Sequence, residues 1–186
     1  KAGAAWAERQ MQRAIARYGK IFGEAPKTHA AAGWQTSAHA LRLTQRLGFG
    51  FASDTRGTHP FVPVWNGEVT LCPQLPVTLP ALDELLGQEG CDVGNVHERL
   101  LALTAQAPAT GHVFSLQADL ALALQPTVEK LLEGWRQQGY EIVSLGNLYE
   151  SIDASRLPRH TLVRGSVDGR AGSLVLQGPE FLATKP

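Results

Sequence analysis

The sequence predicts an α/β fold built on a parallel sheet, and three observations carry that prediction. Helical stretches with one apolar face alternate with short β-branched or aromatic runs. The connections are short, and glycine or proline marks nearly every boundary. With 186 residues the chain fits one domain and can bury about 70% of the surface that its unfolded form exposes.

Met11, Ile15, Tyr18 and Phe22 recur at helical spacing, with Arg9, Arg13, Arg17 and Lys20 off that face. Gly23 suits a helix C-terminus, and Pro26 blocks any extension. The small residues of KTHAAAGW then suit a close-packed strand. Thr36 or Ser37 can cap a helix whose apolar face is Ala40, Leu43 and Leu47 and which ends at Gly48, and FGFAS follows as a second strand. Strand, helix and strand with tight connections make a βαβ unit.

The middle stretch VTLCPQLPVTLP is β-branched but broken by Pro73, Pro76 and Pro80, so it predicts an irregular wall of extended segments rather than a ladder strand. ALDELLG is a short helix with Leu82, Leu85 and Leu86 inward. DVGNVHERLLALTAQ is another, facing inward through Val96, Leu100 and Leu103. HVFSLQAD reads as a strand. Pro126 and Thr127 open a helix on Val128, Leu131, Leu132 and Trp135 that stops at Gly139, and YEIVSL reads as the last strand. From Asp153 onward the Arg-, Gly- and Pro-rich chain has no clear period and reads as a surface-wrapping tail over 153–186. The clear β/α units amount to about half of a (β/α) barrel, with an open doubly wound sheet as the alternative. Both architectures place functional side chains at the C-terminal ends of strands.

Seventeen basic residues balance seventeen acidic ones, so no global field favours nucleic acid or an anionic membrane. Cys72 and Cys91 have no metal-ligand spacing and argue against a disulfide scaffold, which favours a cytosolic setting. No apolar run is long enough to span a bilayer. The first residue is Lys1 rather than methionine, and a helix begins almost at once, as though the chain were entered in its middle.

The candidate chemistry sits at predicted strand ends. Asp54-Thr55-Arg56-Gly57 is either a turn, for which Asp and Gly are suited, or a site rim, where Arg56 holds a carboxylate or phosphate and Asp54 holds Arg56. Of six scattered histidines, none pairs at the i, i+4 spacing of a helical zinc site; His59, just past Arg56, is the one site candidate. Alternation in FSLQAD sets Ser115, Gln117 and Asp119 on one face, where they need either partners or a ligand. No phosphate-binding glycine loop or nucleophile elbow is present.

Several segments resemble one family together: THAAAGWQTSAHALRLTQRLGFGFASDTRG, HPFVPV and QLPVTLPALDELLG, followed by HVFSLQADLA and EGWRQQGYEIVSLGNLY. In that order and spacing they are similar to the 4-deoxy-4-formamido-L-arabinose-phospho-undecaprenol deformylases of the polysaccharide deacetylase (NodB homology) family, over most of residues 6–152. The resemblance implies that residues 1–152 are the C-terminal part of a distorted (β/α) barrel. The implied activity is metal-dependent removal of a formyl or acetyl group from an amino-sugar amide in lipid A modification. The alternative is a non-catalytic barrel that binds a sugar phosphate or glycolipid. It implies a divalent metal, usually zinc, whose Asp and His-x-x-x-His ligands belong upstream of Lys1, so no metal ligand carries over to this chain. It implies a lipid-linked sugar as substrate, peripheral contact with the inner face of the bacterial inner membrane, and no nucleic acid. The family's general-acid histidine aligns with Gln117, which donates a hydrogen bond but delivers no proton near neutral pH. Asp119 falls where the family often has glutamate. Trp34, Asp54, Arg56 and His59 are expected at the sugar-phosphate site, with Gly57 turning the chain away from it and a buried core tryptophan as the alternative reading of Trp34.

Overall fold

The computed structural model describes residues 3–108 and 110–182, which form two compact units. The first holds the N-terminal stretch to Pro76 together with Asp153–Gly165 and the segment from Leu174 onward. The second holds Val77–Ile152 and Ser166–Ser173.

In the first unit, helix α1 (Ala4–Phe22) ends as its sequence predicts: Gly23 takes a left-handed conformation at φ 76° and its N–H returns to the Gly19 carbonyl. Strand β1 (Thr28–His29) crosses through α2 (Ala38–Arg46) to strand β2 (Phe51–Ala52), and the two strands pair in parallel. The βαβ unit is therefore present, although each strand is only two residues long. Ser37 caps α2 by accepting the Ala40 N–H. The buried face of α2 is Leu41, Leu43 and Thr44 rather than Ala40, Leu43 and Leu47; Leu47 is exposed. Met11, Leu43, Phe49, Ala52 and Cys72 form the small core between these elements.

A four-stranded sheet completes this unit in the order β4–β3–β5–β6. Strands β3 (Val62–Trp65) and β4 (Glu68–Val69) are joined by Asn66 and Gly67, both at positive φ, the Asn-Gly signature of a tight hairpin. β5 (Arg159–Gly165) lies parallel to β3 and antiparallel to β6 (Leu174–Glu180). The stretch expected to be a period-free tail thus supplies two strands of seven residues. Their signal was weak because proline and glycine interrupt the alternation and because most of β5 is only partly buried.

In the second unit, helices α3 (Leu82–Leu85), α4 (Val96–Leu103), α5 (Ala118–Ala123), α6 (Gln125–Gln137) and α7 (Leu145–Glu150) surround a core of Leu79, Leu82, Leu85, Val96, Leu100 and Leu131. Pro126 opens α6 and Gly139, at φ 87°, follows its end, as expected. Leu103 is exposed, so the apolar face of α4 is narrower than its sequence suggests.

The buried Glu84 organises the start of α3. One carboxylate oxygen accepts the Ala81 N–H at 3.0 Å, and the other accepts the Arg170 guanidinium at 2.8 Å. Gly169 passes so close that a Cβ there would meet the Glu84 carbonyl at 1.8 Å, and its φ of 78° independently requires glycine.

Two expected strands are absent as ladders among the described residues. The segment of HVFSLQAD is extended and is tied to the preceding stretch at Val113, whose carbonyl accepts the Thr78 and Leu79 N–H groups and whose N–H donates to Thr78 Oγ1. Its end turns helical at Ala118, because ADLALA is a run of strong helix formers. YEIVSL also lacks a ladder partner, and Ser144 instead caps α7 by accepting the Asn147 N–H. β-branched residues make a strand only where a neighbour takes up the backbone groups. The architecture is therefore mixed α/β, with one two-stranded and one four-stranded sheet and no closed barrel among the described residues.

Candidate functional site

Parallel pairing of β1 with β2 sets His29 beside Ala52, and the Ser53 N–H bonds the His29 carbonyl at 2.8 Å. Asp54, two residues past Ala52, is thereby brought onto the His29 ring. Its Oδ1 lies 2.7 Å from His29 Nδ1, so the imidazole donates and the carboxylate accepts. Asp54 is fully buried. Its backbone N–H donates to Gln74 Oε1, and its Oδ2 is buried without a hydrogen-bond partner. This corrects the expectation of a turn or exposed rim: Asp54 is buried and holds His29. A carboxylate that pins Nδ1–H fixes the tautomer and leaves Nε2 to take or give a proton. The His29 side chain is 21% exposed, so water or a ligand can reach the ring. His29 was missed by sequence reasoning. Its one signal was its place within the first strand of the predicted βαβ unit, whose second strand leads into Asp54.

Arg56 is 8% exposed rather than on a solvated rim. Its backbone forms a bridge with β6, donating to the Val175 carbonyl and accepting from Gln177. Its guanidinium lies 4.8 Å from the centre of the Trp34 ring. Trp34 is itself buried and holds φ 55°, a conformation costly for a bulky residue, directly after Gly33 at φ 60°. Trp34 thus supports Arg56 rather than offering an open face. Gly57 does not serve by turning at positive φ. It allows close approach, since a Cβ would lie 2.4 Å from Gln177 Oε1.

His59 meets groups that sequence reasoning did not connect. Its Nε2 lies 3.2 Å from His160 Nε2 and 3.1 Å from Gln177 Nε2, and its Nδ1 lies 2.9 Å from Thr58 Oγ1. Gln117 and Asp119 fall in the other unit and are exposed: Gln117 precedes the first turn of α5, and Asp119 accepts the Leu120 N–H. The shared strand face expected for Ser115, Gln117 and Asp119 does not exist, because the helix begins between the last two.

The second unit also holds a partly open pocket of about 280 Å³, lined mainly by apolar side chains including Val113, Phe114, Trp135 and Leu148, with His112 and Tyr140 on its wall. Burial of Cys72 in the first unit pushes its thiol up to about 11, so it is no nucleophile at neutral pH. Among the described residues no three His, Cys, Asp or Glu side chains converge as metal ligands, so they do not fit the divalent metal that the resemblance implies.

Burial lowers the pKa of both His59 and His112; for His59 the nearby His160 adds to the effect and Glu180 opposes it. The native state then binds fewer protons than the unfolded state between the depressed values and about 6.5. This contribution to stability is complete above pH 6.5 and is lost as pH falls through that window. Urea midpoints measured against pH are expected to decline from about pH 6.5 downward, and His112→Leu should flatten the decline. An unchanged midpoint down to the carboxylate range contradicts the assignment.

No protein-family model matches the chain. Over 155 residues it is 30% identical to a Shewanella sediminis protein assigned as the 4-deoxy-4-formamido-L-arabinose-phosphoundecaprenol deformylase ArnD, a match covering 83% of this chain and 48% of that protein. The chain thus spans about half the length of the curated relative it matches. It also shares its fold with a crystal structure assigned as a polysaccharide deacetylase from Mycobacterium smegmatis, at a TM-score of 0.61 and 17% identity, over 89% of this chain and 63% of that one.

Proposed function

From the premise that this chain belongs to the polysaccharide deacetylase family, on its formamido-arabinose deformylase branch, we propose that it forms part of a hydrolase that removes a formyl or acetyl group from an amino-sugar amide. The observation that carries this reading is the 155-residue relationship to a deformylase. The proposed substrate is a polyprenyl-phosphate-linked formamido-arabinose, met at the inner face of the bacterial inner membrane. Among the described residues no helix is long and apolar enough to cross a membrane, so contact through the lipid-linked substrate is the form of association proposed. The parallel β1–α2–β2 unit and the shared fold support a distorted (β/α) barrel as the parent architecture, with residues 1–152 as its C-terminal part.

The reading gives this chain binding, orientation and proton transfer, and no step is routed through a metal. His29, held by Asp54, is placed to exchange a proton at Nε2. Arg56, stacked on Trp34, is the proposed contact for the anionic group of the substrate. Gln117 favours a second reading, a barrel that binds a sugar phosphate without cleaving it, since an amide supplies no proton.

The test is hydrolysis of formylated and acetylated amino-sugar phosphates by the enzyme that carries this chain, with formate or acetate as the readout. Formate release supports the first reading; binding without release supports the second. A charged hydrogen bond contributes about 1.5–3 kcal/mol, so Arg56→Ala is expected to weaken substrate binding roughly 10- to 150-fold. Because Arg56 is buried, some loss of stability accompanies it. Arg56→Lys keeps the charge but not the planar fork and should recover only part of the affinity. Unchanged affinity with lost stability assigns Arg56 to a structural role.

A further inference from the structure

We propose that the outer face of helix α1 docks the chain on an anionic phospholipid surface. The helix has two unlike faces. Ala7, Met11 and Ile15 turn toward the core of the first unit, with Met11 buried. At about 100° per residue, Trp6, Arg9, Arg13, Arg17 and Lys20 fall together on the opposite side, within an arc of about 80°. All five are exposed, Trp6 by half. Ile21, 66% exposed, borders the same arc.

The charge on this face is of one sign. Glu8 is the one acid within α1, and its carboxylate pairs with Arg46 of α2 at 2.8 Å. Glu24, past the helix end, lies 3.6 Å from Lys27. Among the described residues no ion pair takes up Arg9, Arg13, Arg17 or Lys20. Arg9, Arg13 and Arg17 follow one another at i, i+4 spacing, where like charges repel and weaken a helix. A face that is only solvated mixes signs and avoids that repulsion. The whole chain has seventeen basic and seventeen acidic residues, so the excess belongs to this face and not to the surface at large.

The form of the face selects a lipid surface. Arg9 to Lys20 covers about 17 Å of helix, a straight line of cations that a flat sheet of anionic headgroups meets along its whole length. Each Lys or Arg held within a Debye length of such a surface strengthens partition about fivefold. An indole at headgroup depth is a common interfacial anchor, and Trp6 lies inside the basic arc. Ile21 adds apolar area at the other end of the helix, which a nucleic-acid backbone of phosphates would not use. Because the apolar side of α1 is taken up by the protein core, the contact is made at the headgroups rather than by deep insertion. This surface goes beyond the hydrolase reading and does not depend on it. It holds the protein to a membrane without any bound substrate.

Sedimentation with vesicles, in the absence of any sugar substrate, tests this separately from hydrolysis. The protein that carries this chain is mixed with vesicles of phosphatidylcholine and phosphatidylglycerol, and with vesicles of phosphatidylcholine alone. Binding to the anionic vesicles is expected, falling steeply as salt rises, with little binding to the neutral ones. Arg13→Gln combined with Arg17→Gln should weaken it roughly 30-fold. Lys130→Gln, which removes an exposed cation of α6, should leave it unchanged. Quenching of tryptophan emission by brominated lipid should drop sharply in Trp6→Ala. All these side chains are exposed, so urea midpoints of the variants should match that of the natural protein. No binding to the anionic vesicles, equal binding to the neutral ones, binding insensitive to the double arginine change, or tighter binding to a DNA duplex than to vesicles would overturn the proposal.

Discussion

Gln117→His is expected to raise the deformylation rate of the enzyme that carries this chain by roughly 10²- to 10⁴-fold, the range contributed by a positioned general acid. The resemblance aligns position 117 with the family's proton donor, and on the proposed reading a glutamine there leaves the departing amine without one. The rate profile of the variant should gain a limb near the imidazole pKa of about 6.5. The structure gives this test a second arm, because Gln117 is exposed at the start of α5 while His29 is pinned by the buried Asp54. If the natural protein already turns over briskly and the variant is no faster, the proton donor is not at position 117. His29→Asn should then remove most of the rate, with KM little changed. His59 is the next residue to test.

Arg170→Ala is expected to destabilise the second unit by about 3 kcal/mol, the lower end of the range for leaving a buried charge without its partner. Glu84 is 1% exposed, and its carboxylate serves both the Arg170 guanidinium and the N–H of Ala81, the residue that caps α3. Arg170 is itself partly exposed and also reaches Asp83, which moderates the effect. Urea unfolding should show a lower midpoint with an unchanged slope. Glu84→Gln combined with Arg170→Ala should cost less than the two changes added separately, since the charge and its partner leave together. A loss below about 0.5 kcal/mol for Arg170→Ala would place this pair among ordinary surface ion pairs.

The elements that sequence reasoning located are those whose ends carry their own chemistry. Gly23, Ser37, Pro126 and Gly139 each act within one or two turns of a helix, so the signal and the structure coincide. The strands were less legible because a ladder needs a partner that local sequence does not name. FSLQAD and YEIVSL have strand composition without that partner, whereas RHTLVRG and LVLQGPE, which looked irregular, find theirs in β3 and in each other. The Asn-Gly pair at residues 66 and 67 was a readable hairpin signal that the eye for a parallel fold passed over.

The candidate site divides in the same way. Asp54, Arg56 and His59 stood out because acid, base and imidazole follow a strand end closely in sequence. Their partners His29, Trp34, Gln177 and His160 are supplied by tertiary pairing, and those partners decide what each group can do. Arg56 shows the consequence most directly. Its sequence context suggested a solvated rim, yet its backbone bonds with β6 fold it inward.

The parallel pairing of β3 with β5 joins segments about a hundred residues apart in the chain. During synthesis β3 emerges with one side unsatisfied, and its partner strand leaves the ribosome about a hundred residues later. Contacts of such long sequence separation slow folding, and an unpaired strand edge invites association between chains in the interval. The nascent protein should therefore depend on being held apart from its neighbours until β5 appears. Stop codons or translational stalls between the two strands should yield aggregated product rather than a stable fragment.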